Sequence, residues 1–246
     1  MEQQQLTRKE RRELKRQEKI RKREEQKKSR IVQTIALWSF IIIAGGLTIF
    51  GISKLISQTP NDNNLTASAL MAITDTDWVK GNKQSNITLF EYSDFQCPAC
   101  GSYYSILKQL SQDFGDDINF VYRHFPLKQL HPNAELAARA AEAAGNQNKF
   151  WEMHDMIFEN QEIWSNQRNV KEIFISYAAT LNLNIEQFKN DLDSKDIKER
   201  VNDDYQGGIK LNIRSVPSFF LEGKKLTNLR TYEEFKNLIE EIIAKK

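Results

Sequence analysis

Cys97 and Cys100 are the only cysteines in a chain of 246 residues, and they stand where an apolar strand pattern turns into a helical one, in "EYSDFQCPACGSYY", residues 91–104. A pair with this spacing at a strand-to-helix junction restricts the chemistry available to the chain. Haem attachment requires a histidine after the second cysteine, and Gly101 occupies that place. A structural zinc site requires four ligands, but there is no second pair, and His124, His131 and His154 fall on different predicted elements. As a purely structural staple, a bridge across so short a loop would remove little unfolded-state entropy. A redox pair agrees with the local physics. A cysteine at a helix start meets unpaired N–H groups and the positive end of the helix dipole, which favour a thiolate. Pro98 suits the first helical position, where its missing N–H costs nothing. Cys100, nearly a turn further on, is expected to lie close to Cys97 and to be less exposed.

The flanking pattern predicts an α/β body. "NITLFEYSDF" reads as a buried strand, followed by a helix from Pro98 to about Phe114, with Tyr104, Leu107 and Leu110 at helical spacing. "DINFVYRHFPL" is a second strand ended by Pro126. The next 80 or so residues read as helical throughout, in five segments from "NAELAARAAEAAG" to "DIKERVNDDYQGGIKL". "VPSFFLEGKKL" then returns as a strand, with a turn at Glu222–Gly223 into another short strand. "TYEEFKNLIEEIIAKK" closes as a helix, in which Thr231 and Glu234 match a capping box. The expected order is β-α-β, a helical block over about residues 132–206, then β-β-α. Phe150, Trp151, Met153 and Phe158 recur at helical spacing and are expected in the core; His124 and Trp164 are read as packing residues.

The N-terminal third has a different character. Residues 1–30 hold thirteen Lys/Arg against six Asp/Glu, leaving 22 basic and 27 acidic residues of the chain's 35 and 33 for the remainder. This basic tail has too few apolar residues to bury a face, and its interleaved glutamates argue against nucleic-acid binding. From Ile31 to Ser53 there are 23 residues without a charge. As a helix they reach roughly 35 Å, enough for a bilayer core of about 30 Å. The basic lead and the length of the run favour an uncleaved anchor over a cleaved signal peptide. Only Lys54 is basic between residues 54 and 77, so the cation asymmetry places the N-terminus in the cytoplasm and the body outside it. The expected organisation is a cytoplasmic tail (1–30), a transmembrane anchor (31–53), a linker (54–77) and an extracytoplasmic body (78–246).

Strand-CPAC-helix, a helical block inserted between two halves of a β-α-β…β-β-α pattern, and the late "SVPSFF" together resemble the DsbA-like thiol-disulfide oxidoreductases of the thioredoxin fold, in a membrane-anchored bacterial form. The resemblance covers residues 78–246. It implies Cys97 as the attacking thiolate and Cys100 as the resolving thiol. It further implies Pro217 as the cis-proline beside the pair, and Glu91 as the carboxylate beneath the site that relays the Cys100 proton. No cofactor is implied beyond the Cys97–Cys100 disulfide. The implied partners are exported polypeptides with free thiols and a membrane quinone-linked reoxidising protein. Strong oxidases of the family often carry histidine between the cysteines; here the intervening residues are Pro98 and Ala99. A reductase or isomerase of the same fold is the alternative within the class, and a tethered soft-metal carrier using the two thiolates is the alternative from another class.

Overall fold

The computed structural model describes residues 70–245, so the basic tail, the apolar run Ile31–Ser53 and most of the linker lie outside the described residues. Among the described residues no helix is long and apolar enough to cross a membrane.

Five strands form one mixed sheet in the order β1-β3-β2-β4-β5. They are β1 (Trp78–Gly81), β2 (Thr88–Ser93), β3 (Asn119–His124), β4 (Ser218–Leu221) and β5 (Lys224–Lys225). β2 and β3 run parallel, joined by helix α1 (Pro98–Asp113), while β1, β4 and β5 pair antiparallel. The two central strands are covered on both faces, which is why "TLFEYS" and "NFVYRH" read as near-continuous buried runs rather than alternating ones.

Between β3 and β4 the chain makes six helices. They are α2 (Ala134–Gly145), α3 (Phe150–Glu159), the single turn α4 (Gln161–Trp164), α5 (Val170–Thr180), α6 (Ile185–Asp193) and α7 (Lys195–Lys210). Asparagines in the left-handed region follow three of these helices: Asn148 (φ 60°), Asn182 (φ 57°) and Asn212 (φ 57°). Asparagine tolerates that conformation better than most residues, and it ends these helices where glycine often serves. α2 is nearly all alanine on its buried positions and so lets neighbours approach closely. At Gly145 even a Cβ would meet the Trp78 ring at 2.3 Å. The last helix, α8 (Tyr232–Ile243), carries the predicted capping box: the Glu234 N–H donates to Thr231 Oγ1 (3.3 Å) and the Thr231 N–H to Glu234 Oε2 (2.9 Å).

The two faces of the sheet meet different partners. Leu89, Phe120, Phe219 and Leu221 pack against α1 and α8 through Leu110, Phe114, Phe235 and Ile239. On the opposite face Phe90, Tyr92, Val121 and Phe220 pack with Phe125, Tyr205 and Ile213 near the end of the helical block. A larger cluster, including Phe95, Phe150, Met153, Phe158, Trp164 and Phe174, fills the block itself; Trp164 is fully buried and donates its indole N–H to the Ile157 carbonyl at 2.7 Å.

Three boundaries differ from the sequence expectation. β1 adds an unexpected antiparallel edge to β3. The helical block runs from Ala134 to Lys210, starting and ending a few residues later than the expected 132–206. Packing on the body also begins before Trp78. Arg123 of β3, almost fully buried, holds Asp77 through Nε–Oδ1 (2.8 Å) and Nη2–Oδ2 (2.7 Å), and donates to the Leu70 and Ala72 carbonyls. Met71 is buried alongside. A buried guanidinium needs its donors satisfied, and the segment 70–77 supplies the acceptors. These eight positions, assigned to a free linker by their polar composition, belong to the body.

Candidate active site

β2 ends in a short loop, Asp94–Gln96, whose backbone is fixed from below. The buried Asp94 carboxylate accepts from the Gln96 N–H (2.7 Å), the Leu127 N–H (2.8 Å) and His131 Nδ1 (2.7 Å). The loop delivers Cys97 as N-cap of α1, with extended backbone (φ −73°, ψ 121°), and Pro98 follows inside the first turn. From the helical block, Gln161 Nε2 donates to the carbonyls of Phe95 (2.6 Å) and Cys97 (2.9 Å). Gln96 reaches the other way, donating to the Ser165 carbonyl (2.7 Å) and accepting from the Asn133 N–H (2.7 Å). The loop is thus clamped between sheet and insert.

Both cysteines are free thiols. Cys97 is 8% exposed and Cys100 is completely buried. Their electrostatics diverge. The Cys97 thiol is lowered to about 6, first by a hydrogen bond from the Cys100 thiol; burial opposes this, and the backbone N–H groups of Cys100 and Ala99 add to it. Cys100 is raised well above the usual thiol range by its own burial, by the thiol of Cys97 and by the nearby Glu91 charge. The helix N-terminus contributes at Cys97 as expected, but the partner thiol is the larger influence.

Pro217 lies across from the pair. The Val216–Pro217 peptide bond is cis, and the Val216 carbonyl is 3.9 Å from Cys97 Sγ. Glu91 sits on β2 opposite Tyr122 of β3 and Phe219 of β4. It is 7% exposed, its Oε1 takes no hydrogen-bond partner, and burial pushes its carboxyl up to about 7, with the Ser93 hydroxyl acting slightly the other way. All four residues singled out in the sequence therefore meet on one side of the sheet around the start of α1. His124 is buried beside this group, level with Ser93 in the β2–β3 register and with its ring 5.9 Å from that of Phe95, and its Nε2 is bonded to Glu142 at 2.8 Å.

Asp94, Gln96, His131 and Gln161 were not singled out beforehand. The only signal for Asp94 and Gln96 is a run of polar residues, "SD" and "Q", inside an otherwise apolar approach to the cysteines; His131 and Gln161 are brought to that run by tertiary structure alone. Among the described residues no group of three or more His, Cys, Asp or Glu side chains is placed to hold a metal ion.

A parallel β2–α1–β3 unit, an antiparallel β4–β5–α8 return, a helical block between them and a CxxC pair at the start of α1 define a thioredoxin-like fold with a helical insertion. The sequence model of the thioredoxin family matches residues 73–241, and the chain belongs to that family. Among solved structures, alpha-DsbA1 of Wolbachia pipientis superposes with a TM-score of 0.64 at 21% identity, covering 73% of this chain and 96% of that one. Oxidised BdbD from Bacillus subtilis superposes at 0.62 with 25% identity, covering 69% and 94%. The catalytic domain of Proteus mirabilis ScsC gives 0.62 at 14% identity, covering 74% and 98%. Among curated proteins, Na(+)/H(+) antiporter NhaA 1 of Salinispora arenicola is 36% identical over 151 residues, which is 61% of this chain and 22% of the antiporter. NhaA of Herminiimonas arsenicoxydans is 38% identical over 152 residues, 62% of this chain and 23% of the antiporter. The chain thus spans less than a quarter of the length of the curated relatives it matches.

Proposed function

We propose that this chain is a membrane-tethered thiol-disulfide oxidoreductase whose body faces the extracytoplasmic side and forms disulfides in exported polypeptides. The observation that carries the proposal is the inequality of the two thiols. One is lowered to about 6 at the surface of the site, and its neighbour is raised and enclosed. A low-pKa thiol is a good leaving group and a poorly protonated nucleophile at neutral pH, and a stabilised thiolate makes the disulfide a stronger oxidant.

In the oxidised enzyme a substrate thiolate attacks Cys97 Sγ. The Cys97–Cys100 bond breaks, a substrate–Cys97 disulfide forms, and Cys100 leaves as a thiolate that takes the proton held by Glu91. A second substrate thiolate then attacks the substrate sulfur, and Cys97 departs as the stabilised thiolate. The substrate is oxidised by two electrons and the enzyme is left reduced, the state with both thiols free. The Val216 carbonyl, close to Cys97 Sγ, offers a backbone acceptor to a substrate chain lying across Pro217. Reoxidation is assigned to a quinone-linked membrane protein, and the redox couple is the cysteine pair itself. Tethering rests on the uncharged run Ile31–Ser53 and the excess of Lys/Arg before it. Antiport is not carried over from the curated relatives, because the match is to less than a quarter of each.

In the test, the full chain is expressed with Cys97→Ser or Cys100→Ser and its covalent adducts are resolved on non-reducing gels. Cys97→Ser is expected to abolish exchange, and Cys100→Ser to accumulate mixed disulfides with exported proteins. Equal trapping by both variants would reverse or remove the assigned roles, and wild-type exchange by both would end the enzyme reading. Ala99, which offers the Cys97 thiolate only its backbone N–H, favours a second reading in which net flow runs toward reduction or isomerisation. The equilibrium with glutathione separates the two: a strongly oxidising position supports the oxidase, and a thioredoxin-like one supports the reductase.

A further inference from the structure

Three buried polar atoms on the α1 side of the sheet, Glu91 Oε1, Tyr122 Oη and His154 Nε2, lack a well-formed hydrogen bond within the protein, although the Ser93 hydroxyl lies close to the first two residues. Their residues line a partly open pocket with about 40 Å³ of space for water, walled otherwise mainly by apolar side chains such as Leu107 and Phe158, together with Tyr104 and Lys108 of α1 and Lys80 of β1. A water needs roughly 10–15 Å³ of such space and two or more polar partners, so this pocket has room for about three.

The cavity also has an exit. Tyr122 stands in register with Glu91, and its ring lies 4.8 Å, edge-on, from the His154 ring. On the far side of that ring His154 Nδ1 is 2.9 Å from Asp155 Oδ1. Asp155 is a quarter exposed and ion-paired to Lys108 at 3.5 Å. Burial, helped by the nearby Lys80 charge, holds His154 below its ordinary range against the opposing pull of Asp155, which favours the neutral ring at neutral pH. The carboxylate on one side assigns the proton to Nδ1 and leaves the Nε2 lone pair facing the cavity.

We propose that water in this cavity and the His154 ring form the route by which the Glu91 proton exchanges with solvent, with Asp155 as the outlet. The proposal rests on the reading of Glu91 as proton partner of Cys100. In the reduced enzyme His154 carries Nδ1–H. When Cys100 gives up its proton to re-form the disulfide, Glu91 accepts it and passes a proton through water to His154 Nε2, and Nδ1–H is released to Asp155 and solvent. The ring is left as the Nε2–H tautomer. When substrate next reduces the enzyme, the same steps run inward: Nε2–H supplies the water and Glu91, Cys100 is protonated, and Nδ1 is refilled from Asp155. Each oxidation–reduction cycle moves one proton out and one in, so the two tautomers alternate and the ring never has to flip.

The experiment uses the full-length chain and a mixed disulfide formed at Cys97 with a small thiol, and follows its resolution by Cys100 at pH 7 in H2O and D2O. His154→Phe keeps an aromatic ring among Phe95, Tyr104, Tyr122 and Phe158 but breaks the route. It is expected to slow resolution tenfold or more and to enlarge the solvent isotope effect, while alkylation of the Cys97 thiolate in the reduced protein, which moves no proton at Cys100, keeps its rate. Asp155→Asn, at the surface, is expected to slow resolution several-fold and carries the test if His154→Phe does not fold. Wild-type resolution and isotope effect in the folded variants would overturn the route. Glu91→Gln separates the two layers: slow resolution there with normal His154 and Asp155 variants rejects only the route, whereas normal resolution in Glu91→Gln rejects the Glu91 relay beneath it.

Discussion

At neutral pH Glu91 is close to half-protonated inside the protein, because a carboxylate there has neither a cation nor a full set of donors. Its folded-state pKa, about 7 against 4.5, is raised. The associated stability is therefore fully present below the unfolded value and is lost as pH rises through 7. Glu91→Gln, which cannot ionise, is expected to match wild type near pH 4.5 and to exceed it at pH 8 by on the order of 3 kcal/mol in denaturant unfolding of the reduced protein. Cys97 has the opposite sign. Lowered to about 6, it stabilises the reduced fold above the unfolded thiol value of about 8.5, and this contribution disappears as pH falls through 6. The reduced chain is expected to melt above the oxidised one at pH 7, with the gap closing toward pH 5 and widening in Ala99→His. A more stable oxidised form at pH 7 would favour the reductase. The cysteine pair stands out in the sequence by its place at a strand-to-helix junction, whereas Pro217 and Glu91 are reached only through the family resemblance. His131 and Gln161 are reached by neither, since nothing local marks a side chain whose partner is 37 or 64 residues away.

Elements with local punctuation were legible and those formed only by tertiary pairing were not. α8 announces itself through Thr231 and Glu234, and the observed helix starts one residue after Thr231. Thr231→Ala should cost about 1 kcal/mol, read from the shift in urea midpoint. Because α8 carries Phe235 and Ile239 onto Phe219, that loss is felt in the sheet that holds Pro217. The Glu222–Gly223 turn was equally plain and both residues are in the left-handed region, at φ 51° and 74°. β1 is four residues, "WVKG", with no alternation long enough to read; its strand character comes from pairing with Tyr122, Val121, Phe120 and Asn119. α4 is one turn whose reason for existing is the burial of Trp164 and the reach of Gln161, neither of which is a periodic signal.

For the molecule as a whole, the segment before β1 matters more than its composition suggests. Asp77 would be pushed up by burial, but the Arg123 guanidinium and the Thr74 bonds hold its carboxyl below the usual range. Removing it strands a buried cation, so Asp77→Ala is expected to cost about 3–5 kcal/mol in denaturant unfolding and to expose residues 70–77 to protease. A loss near zero would mean that the segment is only resting on the surface. The insert is bound just as closely. Gln161 holds the Phe95 and Cys97 carbonyls, and Asp204 accepts the His124 N–H at 3.0 Å from the far end of the block. An engineer seeking a miniature version by splicing Pro126 to Ser215 would not obtain a smaller copy of the site. The graft would leave the bend at Cys97 without its upper abutment, like an arch with its centring struck before the keystone is set, and the two sulfurs would no longer be held at a fixed height above the sheet.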